Sequence, residues 1–290
     1  MNKLKGMEEK MLNIVYSIIY GIIEGITEWL PISSTGHLIL AENFLKFQNV
    51  SPDFFEMFEV VIQLGAILAV VVLYFKQIWP LKREKTKHNK NGKIVWDKKI
   101  LILWVKILVA CIPAAIVGLL FDDLLNEYLY NSWVVATMLI LVGIAFIIIE
   151  NKKKGMNARV KDITELTYKD ALIIGLFQLI AAIFPGTSRS GATIIGALLI
   201  GVSRTVAAEY TFFLAIPVMF GASLLKIVKF GFAFTGTEIV ALLVGMIVAF
   251  LVSIFVIKFL MNYIKKHDFK VFGWYRIVLG ILVLILLGVF

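Results

Sequence analysis

Two apolar stretches of this chain stop at a proline where a membrane-crossing helix would be at mid-depth. Residues 11–30 run into Pro31-Ile32-Ser33-Ser34-Thr35, and residues 168–184 run into Pro185-Gly186-Thr187-Ser188-Arg189. The apolar pieces that follow, 34–48 and 189–202, fall short of the roughly 20 residues a helix needs to cross a bilayer. Proline removes a backbone donor and blocks the preceding turn, so neither helix continues through its break. Broken backbone at membrane depth is tolerated only where protein buries it or where it lines a wet cavity. Each pair is therefore expected to form a re-entrant hairpin with its tip inside the protein.

Six further apolar stretches, at 54–75, 100–120, 132–149, 205–228, 238–261 and 272–290, are read as spans. Of the 290 residues, 60% are hydrophobic and 17% are charged, against about 25% charged in an ordinary soluble domain. That excludes an average soluble enzyme, a disordered chain and a nucleic-acid-binding domain. The single cysteine, Cys111, lies in an apolar run and excludes both a disulfide framework and a cysteine-based metal site. The expectation is one all-α integral membrane domain over 1–290, with six transmembrane helices and two re-entrant helical hairpins.

The formal charge of +9 is concentrated in three segments. Segments 76–99, 151–170 and 262–276 hold nine, six and four Lys or Arg, whereas 121–133 has none and carries Asp122, Asp123 and Glu127. By the positive-inside rule the three basic segments are cytoplasmic and 121–133 is outside. His88 and His267 fall in the basic loops and are read as solvated. The first hairpin then starts and ends outside, and the second starts and ends inside. Lys3, Lys5 and Lys10 conflict with an outside N-terminus, although Glu8 and Glu9 lie beside them. The first apolar run carries Glu24 and Glu28 and lacks a small-residue cleavage site, so it is read as part of the mature chain rather than a signal peptide.

The two broken regions align without a gap at an offset of 154, matching Gly21 to Gly175, Glu24 to Gln178, Pro31 to Pro185 and Ser34 to Ser188. Each half would be one hairpin plus three spans, 11–150 and 165–290. Three spans is an odd number, so the second half enters the membrane inverted. Inverted repeats with broken helices place a site where the hairpin tips meet.

The tips carry the chemistry. Glu24 and Glu28 are one helical turn apart on one face, and two carboxylates in an apolar helix require a cation to compensate them. That cation is an arginine, with Arg189 or Arg276 as the structural alternative, or a divalent ion such as Mg²⁺ or Ca²⁺. His37 sits one turn beyond Ser33 and Ser34 and can serve as acid, base or phosphoryl acceptor. Gly186-Thr187-Ser188-Arg189-Ser190-Gly191 opens a half-helix with amide and hydroxyl donors, and Arg189 adds a fork that fits phosphate oxygens. Ser33 and Thr35 at the first tip, and Thr187, Ser188, Ser190 and Arg276, are further candidate phosphate ligands. Arg276 reads equally as an interfacial anchor. Glu59, Gln63 and Glu209 are weaker polar candidates. Together these residues suggest metal-assisted phosphoryl hydrolysis of a lipid-borne phosphate, with Ser34, His37 or water as nucleophile.

The segments Glu24-Gly25-Ile26-Thr27-Glu28-Trp29-Leu30-Pro31-Ile32-Ser33-Ser34-Thr35-Gly36-His37 and Pro185 to Gly191 resemble the two signatures of the undecaprenyl-diphosphate phosphatase family, the bacitracin-resistance membrane proteins of bacteria. The resemblance extends over essentially the whole chain, including Phe58 to Ala66 and Trp274-Tyr275-Arg276. It implies hydrolysis of undecaprenyl diphosphate to the monophosphate and phosphate, which recycles the carrier for peptidoglycan synthesis. It also implies a multi-pass protein of the bacterial inner membrane, a divalent cation, and an active site reached from the outer side. By the same resemblance Glu24 and Glu28 would serve metal and diphosphate, Ser34 or His37 would be nucleophile or proton donor, and Arg189 with Ser188 would hold phosphate. The expected partners are the polyprenyl diphosphate and membrane lipids, with a homodimer left open. A different lipid phosphatase class, superficially suggested by Ser203-Arg204, is rejected because no histidine follows until His267. A secondary transporter or lipid flippase is the rival from another class, since it would use the same architecture.

Overall fold

The computed structural model describes residues 2–86 and 89–289. His88 lies outside the described residues. The chain is almost entirely helical. Helix α1 (Asn2–Thr27) leads to the first proline break and α2 (Ser34–Glu42). Then come α3 (Phe54–Val61), α4 (Gln63–Leu73) and the single turn α5 (Phe75–Ile78). Strands β1 (Leu81–Thr86) and β2 (Asn89–Trp96) form an antiparallel pair with Leu81 opposite Trp96. Helices α6 (Lys98–Leu129) and α7 (Ser132–Lys153) complete the first half. The second half holds α8 (Tyr168–Ile183), α9 (Arg189–Leu199), α10 (Arg204–Phe230), α11 (Gly236–Ile264) and α12 (Lys270–Val289).

Among the described residues five helices are long and apolar enough to cross a membrane: α3 and α4 together over Phe54–Leu73, the Lys98–Phe121 part of α6, α7, α10 and α11. They correspond to five of the six expected spans, and the sixth, α12, packs along α7. Their outward faces are greasy. Phe255 is 73% exposed and Leu119 70%, an arrangement suited to lipid rather than water. The protein is therefore a multi-pass membrane protein.

Two features depart from the sequence expectations. The segment read as a basic loop after residue 75 folds into the β1–β2 hairpin. The stretch 54–75, read as one span, is divided at Ile62, which carries helical dihedrals but starts a tighter turn in which Gly65 N–H bonds the Ile62 carbonyl at 3.0 Å. No proline or glycine stands at that joint. The packing sets it: a Cβ on Gly65 would lie 2.0 Å from the Met246 carbonyl oxygen, so α4 and α11 touch backbone to backbone there.

Polar contacts sort the segment ends onto two ends of the bundle. Asn13 exchanges 2.8 Å hydrogen bonds with the Gln48 backbone, and Ser51 N–H donates to Glu238 at 2.7 Å. Tyr130 meets Glu59 over the same end. At the opposite end Arg159 N–H bonds the Gly201 carbonyl and Phe269 N–H bonds Glu150. Helix α1 packs on α11 much as α8 packs on α6, and the two proline breaks meet, Arg276 bonding the Pro31, Gly186 and Thr187 carbonyls together.

Candidate active site

Each tip is a helix start capped by a serine in an unusual backbone conformation. Ser33 caps α2 with φ +74° and Ser188 caps α9 with φ +70°. A side chain in this left-handed region costs about 1–3 kcal/mol and persists only where surrounding contacts hold it. Both serine hydroxyls accept the N–H three residues on, from Gly36 at 3.4 Å and Gly191 at 3.2 Å. Thus Ser188 corresponds to Ser33, not to Ser34 as the gap-free alignment predicted. One residue, Ile32, separates Pro31 from its cap, whereas Gly186 and Thr187 separate Pro185 from Ser188. The extra residue makes Ser34 and Arg189 counterparts, the first residues of the two half-helices.

Those two residues meet on Glu28. The Ser34 hydroxyl donates to Glu28 Oε2 at 2.9 Å, and Arg189 Nη2 donates to Glu28 Oε1 at 2.9 Å. The Ser190 hydroxyl donates to the Glu28 main-chain carbonyl at 3.0 Å. Arg189 Nη1 is anchored on the Thr211 carbonyl at 2.9 Å, while its Nε is buried without a partner. Both members of the pair are largely withdrawn from solvent, with side-chain exposures of 12% and 7%. A carboxylate and a guanidinium so placed attract strongly, and removing either leaves an uncompensated buried charge.

A cavity of about 160 Å³ opens onto this pair, lined by Glu28, Ser34, Thr35, Gln63, Ser188 and Arg189 among others. Thr35 and Gln63 also line a larger chamber of about 820 Å³ at the Tyr130 end, which holds Glu42, Lys46, Glu59 and Lys226. They form the neck between a small polar chamber and a wide vestibule. Lys226 is paired with Glu56.

The remaining sequence candidates are placed differently. Glu24, one turn before Glu28, is fully buried, and neither of its carboxylate oxygens has a partner. His37 does not line the small cavity. Its Nδ1 lies 2.7 Å from the Ser33 carbonyl, which can only accept, so this nitrogen carries the proton. In a neutral ring Nε2 then accepts from the Tyr275 hydroxyl at 2.7 Å, and the two rings stack at 5.7 Å. Ser33 and Thr187 are also outside the cavity lining, and the buried Thr187 hydroxyl has no partner. Arg276 is not an interfacial anchor: it is fully buried. Its Nη2 bonds the Gly186 and Thr187 carbonyls at 2.8 Å, and Nη1 bonds the Pro31 carbonyl at 3.3 Å. It ties one tip to the other. Glu209 does not line either cavity.

The roles of four residues escaped the sequence reading. Thr211 anchors Arg189, Tyr275 holds His37, and Val218 and Met219 of α10 wall the small cavity. Pro217 beside the last two was the one available signal, a helix breaker inside an apolar span.

Fold and site define a polytopic membrane protein in which two broken helices bring a carboxylate, a serine and an arginine together inside the bundle. Residues 17–282 match the family described as Bacitracin resistance protein BacA, and the chain belongs to that family. The chain is 62% identical over 259 residues to an undecaprenyl-diphosphatase of Desulfitobacterium hafniense, covering 89% of this chain and 90% of that protein. It is 61% identical to undecaprenyl-diphosphatase 1 of Clostridium acetobutylicum, covering 89% and 92%, and 59% identical to an undecaprenyl-diphosphatase of Enterococcus faecalis, covering 91% and 93%.

Proposed function

We propose that this chain hydrolyses undecaprenyl diphosphate to undecaprenyl phosphate and inorganic phosphate, the activity that the names of its relatives carry. It is a lipid diphosphate phosphatase, and its product is the lipid carrier reused in cell-wall synthesis. The observation that carries the reading is the grip of one carboxylate, Glu28, on both the Ser34 hydroxyl and the Arg189 guanidinium. The names of the relatives lend nothing to the transporter alternative.

In this reading Ser34 is the nucleophile. Its proton passes to Glu28 Oε2 as Oγ attacks the terminal phosphorus, and the bond from that phosphorus to the bridging oxygen breaks, releasing the lipid monophosphate. Water then hydrolyses the phosphoserine and frees phosphate. Before substrate arrives, Arg189 holds Glu28 Oε1. A phosphate anion in the cavity competes for the guanidinium, engages its unpartnered Nε, and frees Glu28 to take the serine proton. Thr35 and Ser188 face the same cavity as donors to phosphoryl oxygens. His37, held by Ser33 and Tyr275, positions the first turn of α2 rather than attacking phosphorus.

Glu24 and Glu28 would hold a divalent cation, Mg²⁺ or Ca²⁺. The two donor-free oxygens of Glu24 fit such an ion, which relieves buried negative charge. Among the described residues no group of three His, Cys, Asp or Glu comes together, so water or substrate oxygens would complete the shell. Bound there, the ion would neutralise phosphoryl charge.

The architecture in this reading is six spans plus two re-entrant hairpins, arranged as inverted repeats over 11–150 and 165–290 in the bacterial inner membrane. The vestibule end, which carries the segment 121–133 without Lys or Arg, faces outward. Purified protein in detergent tests the activity: it should release phosphate from an isoprenyl diphosphate only with a divalent ion. Intact release by Glu28→Gln and Arg189→Ala would overturn the site.

A further inference from the structure

The end of the bundle remote from the vestibule holds a second cavity, of about 320 Å³, that shares no lining residue with either chamber of the active site. Its size is at the lower end of ordinary ligand pockets, roughly 300–1,000 Å³. It lies between the last turns of α7 and α11, the loop after α7, and the junction of α9 with α10. We propose that this cavity binds a phosphate-bearing anion, the headgroup of an anionic membrane lipid or free phosphate.

Charge is the first argument. The lining carries Lys153, Arg204 and Lys265 against a single acid, Glu150. That acid is fully engaged: Arg204 donates to it from Nε at 2.9 Å and from Nη2 at 2.5 Å, and the Phe269 N–H donates at 3.0 Å. The Arg204–Glu150 pair neutralises itself and fixes the cavity wall. Two lysines are left in excess. Lys153 is half-buried, with Nζ held 3.4 Å from the Leu199 carbonyl at the end of α9. Among the described residues neither Lys153 nor Lys265 joins a salt bridge with a carboxylate.

Donors of the right kind line the same wall. The Ser203 and Thr205 hydroxyls lie 3.4 Å apart, and the Arg204 and Thr205 N–H groups precede the first helical bond of α10, from Ala207 to the Ser203 carbonyl. Phosphate oxygens accept from ammonium, hydroxyl and amide together, whereas a cation would be repelled and an apolar group would strand these donors. The position suits a lipid headgroup as well, because greasy helices surround the cavity and basic juxtamembrane groups attract anionic lipid.

Native mass spectrometry of the full-length protein, released from nanodiscs of phosphatidylcholine with or without phosphatidylglycerol, tests the site. The comparison is between wild type, the double variant Lys153→Gln/Lys265→Gln, and a charge-matched control, Lys152→Gln/Lys266→Gln, just outside the cavity. Wild type and control should retain phosphatidylglycerol, and the double variant should lose about tenfold in retention. If inorganic phosphate instead protects the protein thermally in phosphatidylcholine alone, with the same variant dependence, the site stands and its ligand is free phosphate. Because the active site is identical in all three proteins, phosphate bound there cancels in this comparison. Each single variant is measured too, so that misfolding of the double variant does not decide the outcome. Equal loss in the control, full retention in the lysine variants, or no binding of either probe to wild type overturns the proposal.

Discussion

Glu28 and Arg189 stand 161 residues apart in sequence and 2.9 Å apart in space, one on each broken helix. The contact joins the halves of the chain at the point where both helices stop, and the Ser34 hydroxyl completes it from the same carboxylate. Geometry as well as charge matters, because the guanidinium also holds the Thr211 carbonyl. Arg189→Lys keeps the charge but cannot reach both partners in a fixed fork. It should therefore lose at least about a hundredfold in kcat/KM, approaching Arg189→Ala. Phosphate-release kinetics on both variants decide this, and near-normal turnover by the lysine variant would show that charge alone suffices.

Ser34 and His37 separate cleanly by geometry. Ser34 lines the small cavity and donates to Glu28, whereas both ring nitrogens of His37 are occupied by Ser33 and Tyr275. Ser34→Ala should abolish turnover by a factor of about 10³ or more, with no phosphorylated protein after acid quench. Tyr275→Phe removes one hydrogen bond, worth about 1 kcal/mol, and should cost no more than about tenfold. Trapping with labelled substrate followed by peptide mapping gives the answer, and label on His37 would reverse the assignment.

Much of this site was legible because prolines and charges are conspicuous in apolar sequence. Pro31 and Pro185 announced the breaks, and Glu28, Ser34 and Arg189 followed from them. The correspondence of the tips was harder to see. Ser33 and Ser188 are equivalent only through their caps and positive φ, and a one-residue difference in the turn shifts the alignment. The part played by Arg276 was not legible. Its charge drew attention, but its acceptors are the main-chain carbonyls of Pro31, Gly186 and Thr187, which no side-chain pattern encodes. The joint at Ile62 was invisible for the same reason, since it reflects close packing of Gly65 on α11.

Glu24 offers a test in which stability and activity move oppositely. Its two oxygens are buried without donors, one helical turn from a second carboxylate. Glu24→Met replaces the partnerless carboxyl with an apolar side chain of similar volume, which should stabilise the cation-free protein by about 1–3 kcal/mol. The same change should weaken the response to divalent ions. Scanning calorimetry in chelator, paired with a cation titration of phosphate release, reads both quantities. An unchanged half-saturating cation concentration would remove Glu24 from the ion's ligands.

Arg276 and Arg189 are both arginines withdrawn into the helix bundle, and they should fail in different ways. Arg276 is fully buried and binds three carbonyls across the two tips, so its loss strands acceptors from both halves at once. Arg276→Met should cost about 3–5 kcal/mol of stability, visible as a clearly lowered thermal transition. Arg189 lines the cavity and keeps its Nε unpartnered. Arg189→Ala leaves Glu28 without its partner charge but opens a space that water can enter from the cavity, so it should lower the thermal transition less than Arg276→Met while losing turnover almost completely. Measuring both variants by thermal unfolding and by kcat/KM separates the strut from the proposed phosphate ligand. A stable but inactive Arg276→Met would move Arg276 from the scaffold to the chemistry.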